Sequence, residues 1–140
     1  MGMTHQDIHI DAPADSVWAS IRNFHDMSWA PNVITGVEAV GDKPGDEPGA
    51  GRVLNGAFHE TLQTLDDDAM TFTYSIDDGP SPVSRNEVRD YIGKVVVEAA
   101  GDGSRVEWTS AWEQNDQPVH DFCHTIYVAL LNDMKASLES

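Results

Sequence analysis

The sequence predicts an α+β fold in which one curved antiparallel sheet carries a long amphipathic helix across its concave face. Three observations lead there. Runs of alternating apolar and polar residues follow one another through the middle of the chain, with turn signals between them. A helical stripe precedes those runs and a longer one follows them. No repeat, linker or low-complexity block intervenes, so one domain over residues 1–140 is expected.

Thr4 to Asp11, where Ile8 and Ile10 alternate with polar residues, reads as the first strand. Pro13 then suits the first residue of a helix, with Asp15 in its first turn and Val17, Trp18 and Ile21 as its apolar stripe. That helix frays in Asn23 to Ser28, and Val33 to Val40 is the next expected strand. Glycines and prolines crowd Gly41 to Gly49, which makes it a loop. Strands follow at Arg52 to Leu54, Phe58 to Leu65 and Met70 to Ile76, divided by Asn55-Gly56 and by Asp66-Asp67-Asp68. Asp77 to Pro82 breaks the sheet. Two longer strands, about Val88 to Ala99 and Arg105 to Glu113, meet at Gly101-Asp-Gly103. Pro118 opens a last helix running to about Leu138, with Val119, Phe122, Cys123, Ile126, Leu130 and Met134 on one face.

Charge narrows the function. Eight Lys+Arg stand against 24 Asp+Glu, a formal net charge of −16. Such a surface repels phosphate backbones and anionic headgroups, so neither nucleic acid nor a membrane surface is an expected partner. The excess of Asp over Lys fits either salt adaptation or plain solubility. Cys123 is the only cysteine, which excludes an intrachain disulfide framework. Met1 to Pro13 has no apolar segment of the signal-peptide kind, and the longest apolar run, Tyr127 to Leu131, is too short to span a bilayer. A cytoplasmic protein, monomeric or weakly dimeric, is expected.

Glu60 is the acid with the most to say. Period two places it on one strand face with Phe58 and Leu62, which seek burial, so its carboxylate points inward. A buried carboxylate is either paired or held with a raised pKa. It can orient a ligand's polar end, act as a general acid or base, or serve as one half of a structural pair with a nearby Arg, Tyr or Asn. Phe72, Tyr74 and Ile76 share a second face, and Val106, Trp108, Ser110 and Trp112 a third. Tyr and Trp offer apolar area with one polar handle each, which suits a cavity wall as well as an ordinary core. The candidate ligand contacts up to the middle strands are Trp29, Phe58, Glu60, Leu62, Phe72 and Tyr74. Tyr91, Trp108, Ser110, Phe122, Ile126 and Leu130 complete them.

His120 and His124 have the i, i+4 spacing of a two-histidine metal site, but no third ligand shows matching spacing, and both read as solvated rim residues. Cys123, on the apolar face, reads as a small hydrophobe. There is no nucleophile elbow, phosphate-cradling loop or dinucleotide fingerprint. No cofactor and no metal are expected.

Several words of the chain, in order, carry a resemblance: Ile10-Asp-Ala-Pro13 with Val17-Trp18, Trp29-Ala-Pro31, His59-Glu60-Thr-Leu62 with Leu65-Asp-Asp67, Phe72-Thr-Tyr74-Ser-Ile76, and Val106-Glu-Trp108 before the closing helix. The chain resembles the START/Bet v1-like superfamily, in its bacterial polyketide cyclase/dehydrase branch. That resemblance implies a helix-grip fold whose sheet and last helix enclose an elongated apolar cavity. The chain is also similar to plant abscisic acid receptors at Glu60, which matches a cavity-facing acid, and at Leu54-Asn-Gly-Ala57, which matches a gate loop. The gate proline is absent, and nothing between Gly79 and Asn86 reproduces the His-Arg-Leu latch, so binding of that hormone is not expected.

Binding of a small hydrophobic or amphipathic molecule is therefore the leading expectation. Two alternatives stand beside it. One is a cyclase/dehydrase-type enzyme in which Glu60, helped by Tyr74 or Tyr91, moves a proton. The other is a co-chaperone-like interaction module with a vestigial cavity.

Overall fold

A computed structural model describes residues 1–139; Ser140, the last residue of the domain expected over 1–140, lies outside the described residues. The elements are β1 (Gly2–Ile10), α1 (Ala14–Ile21), β2 (Val37–Val40), β3 (Gly51–Leu54), β4 (Phe58–Asp66), β5 (Thr71–Asp78), β6 (Arg89–Ala100), β7 (Gly103–Glu113) and α2 (Asp116–Leu138). All strands pair antiparallel in one sheet of order β1-β7-β6-β5-β4-β3-β2, with α2 across it. This is the helix-grip arrangement.

Local chemistry explains most boundaries. Asn55 and Gly56 both adopt left-handed φ, 55° and 65°, and close the β3–β4 hairpin, where Asn and Gly are the residues that tolerate it. Counting outward from Leu54 opposite Phe58, the hairpin register sets Arg52 directly opposite Glu60. A second close approach lies at Gly93, where the Tyr74 ring covers the backbone. A Cβ there would stand 2.3 Å from the ring, so only glycine fits.

Three expectations are corrected. The strand expected over Val33 to Val40 begins only at Val37, because the Asn55 side chain captures the preceding backbone: its Oδ1 accepts from Thr35 N at 2.7 Å and Gly36 N at 3.3 Å, while its Nδ2 donates to Val33 O at 3.1 Å. Pro13 caps α1 from outside and is not its first helical residue. The buried face of α2 is rotated from the expected one. Val119, Cys123, Tyr127, Leu130, Leu131, Asp133 and Met134 are buried, while Phe122 and Ile126 lie half-buried at its edge.

Asp133 is an acid on that buried face. Its carboxylate accepts from Asn32 N at 2.7 Å and from Asn32 Nδ2 at 2.8 Å, tying the segment after α1 to the last helix.

Candidate functional site

Between the sheet and α2 lies a cavity of about 230 Å³ whose walls are mostly apolar. β4, β5 and β7 contribute Phe58, Glu60, Tyr74, Ile76 and Trp108, and α2 contributes Cys123, Ile126, Tyr127 and Leu130. Met27, Val33, Ile34, Leu54 and Asn55 close the end formed by the post-α1 segment and the hairpin turn, with Arg52 beside Glu60.

Two polar systems are built into this wall. The first is ionic. Arg52, 4% exposed, brings Nε to 2.8 Å and Nη2 to 2.7 Å of the same Glu60 oxygen, Oε1. Its Nη1 donates to the Phe24 carbonyl at 2.9 Å and meets the Met27 sulfur at 3.4 Å, and the guanidinium lies 3.7 Å above the Phe24 ring. Arg52 is thereby held from three sides. Glu60 Oε2 accepts no hydrogen bond among the described residues. Burial pushes the Glu60 carboxyl above its ordinary range; Arg52 pulls it back in part, and Asp77 adds to the rise.

The second system is neutral. Trp108 Nε1 donates to the Tyr74 hydroxyl at 3.0 Å, Tyr74 and Tyr127 hydroxyls meet at 2.7 Å, and Tyr127 is hydrogen-bonded in turn to Tyr91. An indole N–H can only donate, so Tyr74 accepts from Trp108, while in each tyrosine pair either hydroxyl can be the donor. Burial holds all three phenols well above their ordinary pKa, and pushes the Cys123 thiol up to about 11. These groups are uncharged across the physiological range. Trp108 also stacks on Tyr127, their centroids 4.9 Å apart.

Six of the sequence-derived candidates line the cavity together: Phe58, Glu60, Tyr74, Trp108, Ile126 and Leu130. The other six are outside its lining. Leu62 and Phe72 are buried core, and Trp29 packs on Trp108 at 6.3 Å between ring centroids. Tyr91 stacks on Trp112 behind the wall, Ser110 bonds to Thr4 at 2.7 Å, and Phe122 stacks on Phe58 at the rim. The expectation that mid-strand position brings Ser110 to the cavity is thus corrected, since β1 takes up its hydroxyl. Arg52 and Tyr127 are what the sequence reading missed. The hairpin count that pairs Arg52 with Glu60 was available as a signal; for Tyr127 the choice of helix face was the obstacle.

His120 and His124 stand parallel with centroids 5.8 Å apart. Their Nδ1 atoms meet Asp121 at 3.1 Å and Gln6 Oε1 at 2.9 Å, respectively. Among the described residues, no group of three or more His, Cys, Asp or Glu is placed to hold a metal ion. Among the described residues, no helix is long and apolar enough to cross a membrane.

A sheet gripping a long helix over an apolar cavity is an arrangement shared with known proteins. The family model described as polyketide cyclase / dehydrase and lipid transport matches residues 1–139. The chain belongs to that family. A structure from Nitrosospira multiformis is 38% identical, with a TM-score of 0.95, covering 99% of this chain and 97% of that one. The protein XoxI from Bacillus cereus, 24% identical over 99% of this chain and 96% of its own, superposes with a TM-score of 0.80. Ginseng major latex-like protein 151 from Panax ginseng, 16% identical, shares the fold at a TM-score of 0.80 over 99% and 98% of the two chains. No curated protein matches. For this member of the polyketide cyclase/dehydrase and lipid transport family, the cavity is the candidate site.

Proposed function

We propose that the protein binds one small hydrophobic or amphipathic molecule in this cavity, with Glu60 orienting the molecule's polar end. The observation that supports it most is Glu60 itself, a carboxylate 6% exposed in an apolar chamber, saturated at one oxygen and open at the other. Burying such a group without a partner is costly, and a ligand donor would relieve that cost. The volume supports a molecule of one or two rings, since a cavity of about 150 Å³ takes up benzene. The family description, which includes lipid transport, points the same way.

Binding is favoured over proton transfer because the tyrosine hydroxyls are engaged with one another, and none reaches Glu60 by a hydrogen bond among the described residues. A vestigial cavity is disfavoured by the cost of keeping two charges inside it. The protein acts in this reading as one domain, monomeric or weakly dimeric.

Native mass spectrometry of freshly purified protein tests the proposal, followed by solvent extraction and titration with an environment-sensitive naphthalene dye. A defined small passenger, or saturable dye binding at one site per chain, is the expected result. An empty protein with no saturable uptake across a hydrophobic panel would overturn it.

A further inference from the structure

Between β5 and β6, in the interior of the sheet, the ladder stops short. Pairing runs from Thr71 opposite Val96 to Ser75 opposite Ile92 and ends there, although β5 continues to Asp78 and β6 begins at Arg89. Both strands are distorted at that level. β5 takes two steps, from Ile76 to Asp78, where β4 takes one, from Glu60 to His59. β6 takes three steps, from Arg89 to Ile92, where β7 takes two, from Glu113 to Ala111. Each strand thus carries a bulge beside the break, and in β6 Asp90 adopts a left-handed φ of 54°. Among the described residues, no ladder pair, side-chain hydrogen bond or ion pair joins Ile76, Asp77 or Asp78 to Arg89, Asp90 or Tyr91.

A cleft of about 560 Å³ lies at this break. Its walls come from both faces of the sheet: Gln63, Ser75 and Ile92 from the outer face, Ile76 and Tyr91 from the inner one. In the interior of a sheet, a cleft can touch both faces only where the strands part. Ile76 also lines the inner cavity, so a single side chain borders both spaces. The end of the cavity near the β3–β4 turn is different. There Asp133 holds Asn32 by two bonds, and Asn55 holds Val33, Thr35 and Gly36.

We propose that a ligand passes between solvent and cavity through this break in the sheet, with the Ile76 side chain as the partition it displaces. This rests on the binding reading above and adds the route. Passage here needs one aliphatic side chain to turn and two strands to spread where no rung joins them. Passage at the other end needs hydrogen bonds to break, and each of those opposes opening. A gate and a wall contact differ in kinetics. Enlarging a gate speeds entry and exit together, whereas losing a wall contact speeds exit alone.

The test is stopped-flow mixing with an environment-sensitive naphthalene dye, which gives association and dissociation rates, after a melting scan has shown which variants are folded. Ile92→Cys puts a thiol on an exposed wall of the cleft, and the variant is measured before and after a bulky maleimide is attached. Cys123 is buried, with its thiol pushed up to about 11, so the label goes to the new site. Labelling should slow association and dissociation together, by about tenfold or more. Ile76→Ala should speed association. Asp133→Ala, which frees Asn32 at the other end, should leave the association rate as in wild type. An association rate unmoved by the label, or by Ile76→Ala in the folded variant, would overturn the route while leaving cavity binding in place. Faster association in Asp133→Ala would overturn it as well, by moving the entrance to the hairpin end. If the dye shows no saturable binding to wild type, the binding reading fails and this route with it.

Discussion

Where β5, β6 and β7 face α2, the polar atoms behind the cavity are an indole and hydroxyls that bond to one another, whereas at the β3–β4 hairpin they are two full charges. In the first region the Trp108 indole and three tyrosine hydroxyls bond in a row, while the neighbouring Trp112 indole N–H has no partner among the described residues. In the second, one guanidinium reaches a carboxylate, a carbonyl and a sulfur, and the carboxylate is engaged at a single oxygen. Neutral networks hold their shape without demanding a guest. A buried ion pair with a vacant oxygen is stable enough to fold around, yet it still gains from one more donor. The difference separates a wall that holds the shape of the cavity from the wall that, in the proposed binding, meets the ligand's polar end.

The sharpest way to break the comparison is to remove charge from one side only. Arg52→Met leaves Glu60 buried and unpaired, and should cost about 3–5 kcal/mol near neutral pH, read by chemical denaturation. Part of that loss should return in acid, as Glu60 takes up its proton. An unchanged midpoint at neutral pH would show that water already reaches the carboxylate. The neutral side is probed by Gly93→Ala, whose new methyl meets the Tyr74 ring. A loss of about 1–3 kcal/mol is expected from overpacking. Wild-type stability in that variant would mean that the ring swings freely, and the hydroxyl chain with it.

A smaller effect follows from pH. Because burial raises the Glu60 carboxyl in the folded protein, the folded state holds that proton more tightly than the unfolded chain does. Glu60 therefore contributes most stability below the ordinary glutamate range, and this is lost as pH rises through the raised value. Glu60→Gln lacks the term, so the stability difference should move in the variant's favour as pH rises from about 4 to about 8. A difference flat in pH would mean that Arg52 fully offsets burial. The smallest effect concerns the surface. With a net charge of −16, the melting temperature should rise in chloride as the screening length shortens from about 30 Å at 0.01 M to about 3 Å at 1 M. A flat response would show that local pairs, such as Arg105 with Asp7, Glu98 and Glu107, already balance the repulsion.

Much of this was legible in the sequence because alternation is a local signal. Phe58 and Leu62 on either side of Glu60 forced that carboxylate inward, and the structure keeps it there. Helix α2 was harder. Its apolar residues spread widely enough that either Phe122 and Ile126 or Tyr127 and Leu131 could define the buried centre. The choice falls to Tyr127 through hydroxyl partners on β5 and β6, which no local pattern reveals. Likewise, Val33 to Gly36 has the composition of a strand, and it is a side chain some twenty residues away, Asn55, that takes its backbone hydrogen bonds. Six candidate contacts fell outside the cavity for a related reason. Alternation says which face is inward, but the sheet's inner face is larger than the space left empty beneath it.

The Asn55 clasp also bears on time. It ties Val33, Thr35 and Gly36 to the hairpin turn, while Asp133 ties Asn32 to the last helix, so the segment bordering the cavity is fastened at both ends. Under the proposed binding, a guest passing this end would have to break one of these fastenings, so release through it would be slower than diffusion out of an open mouth.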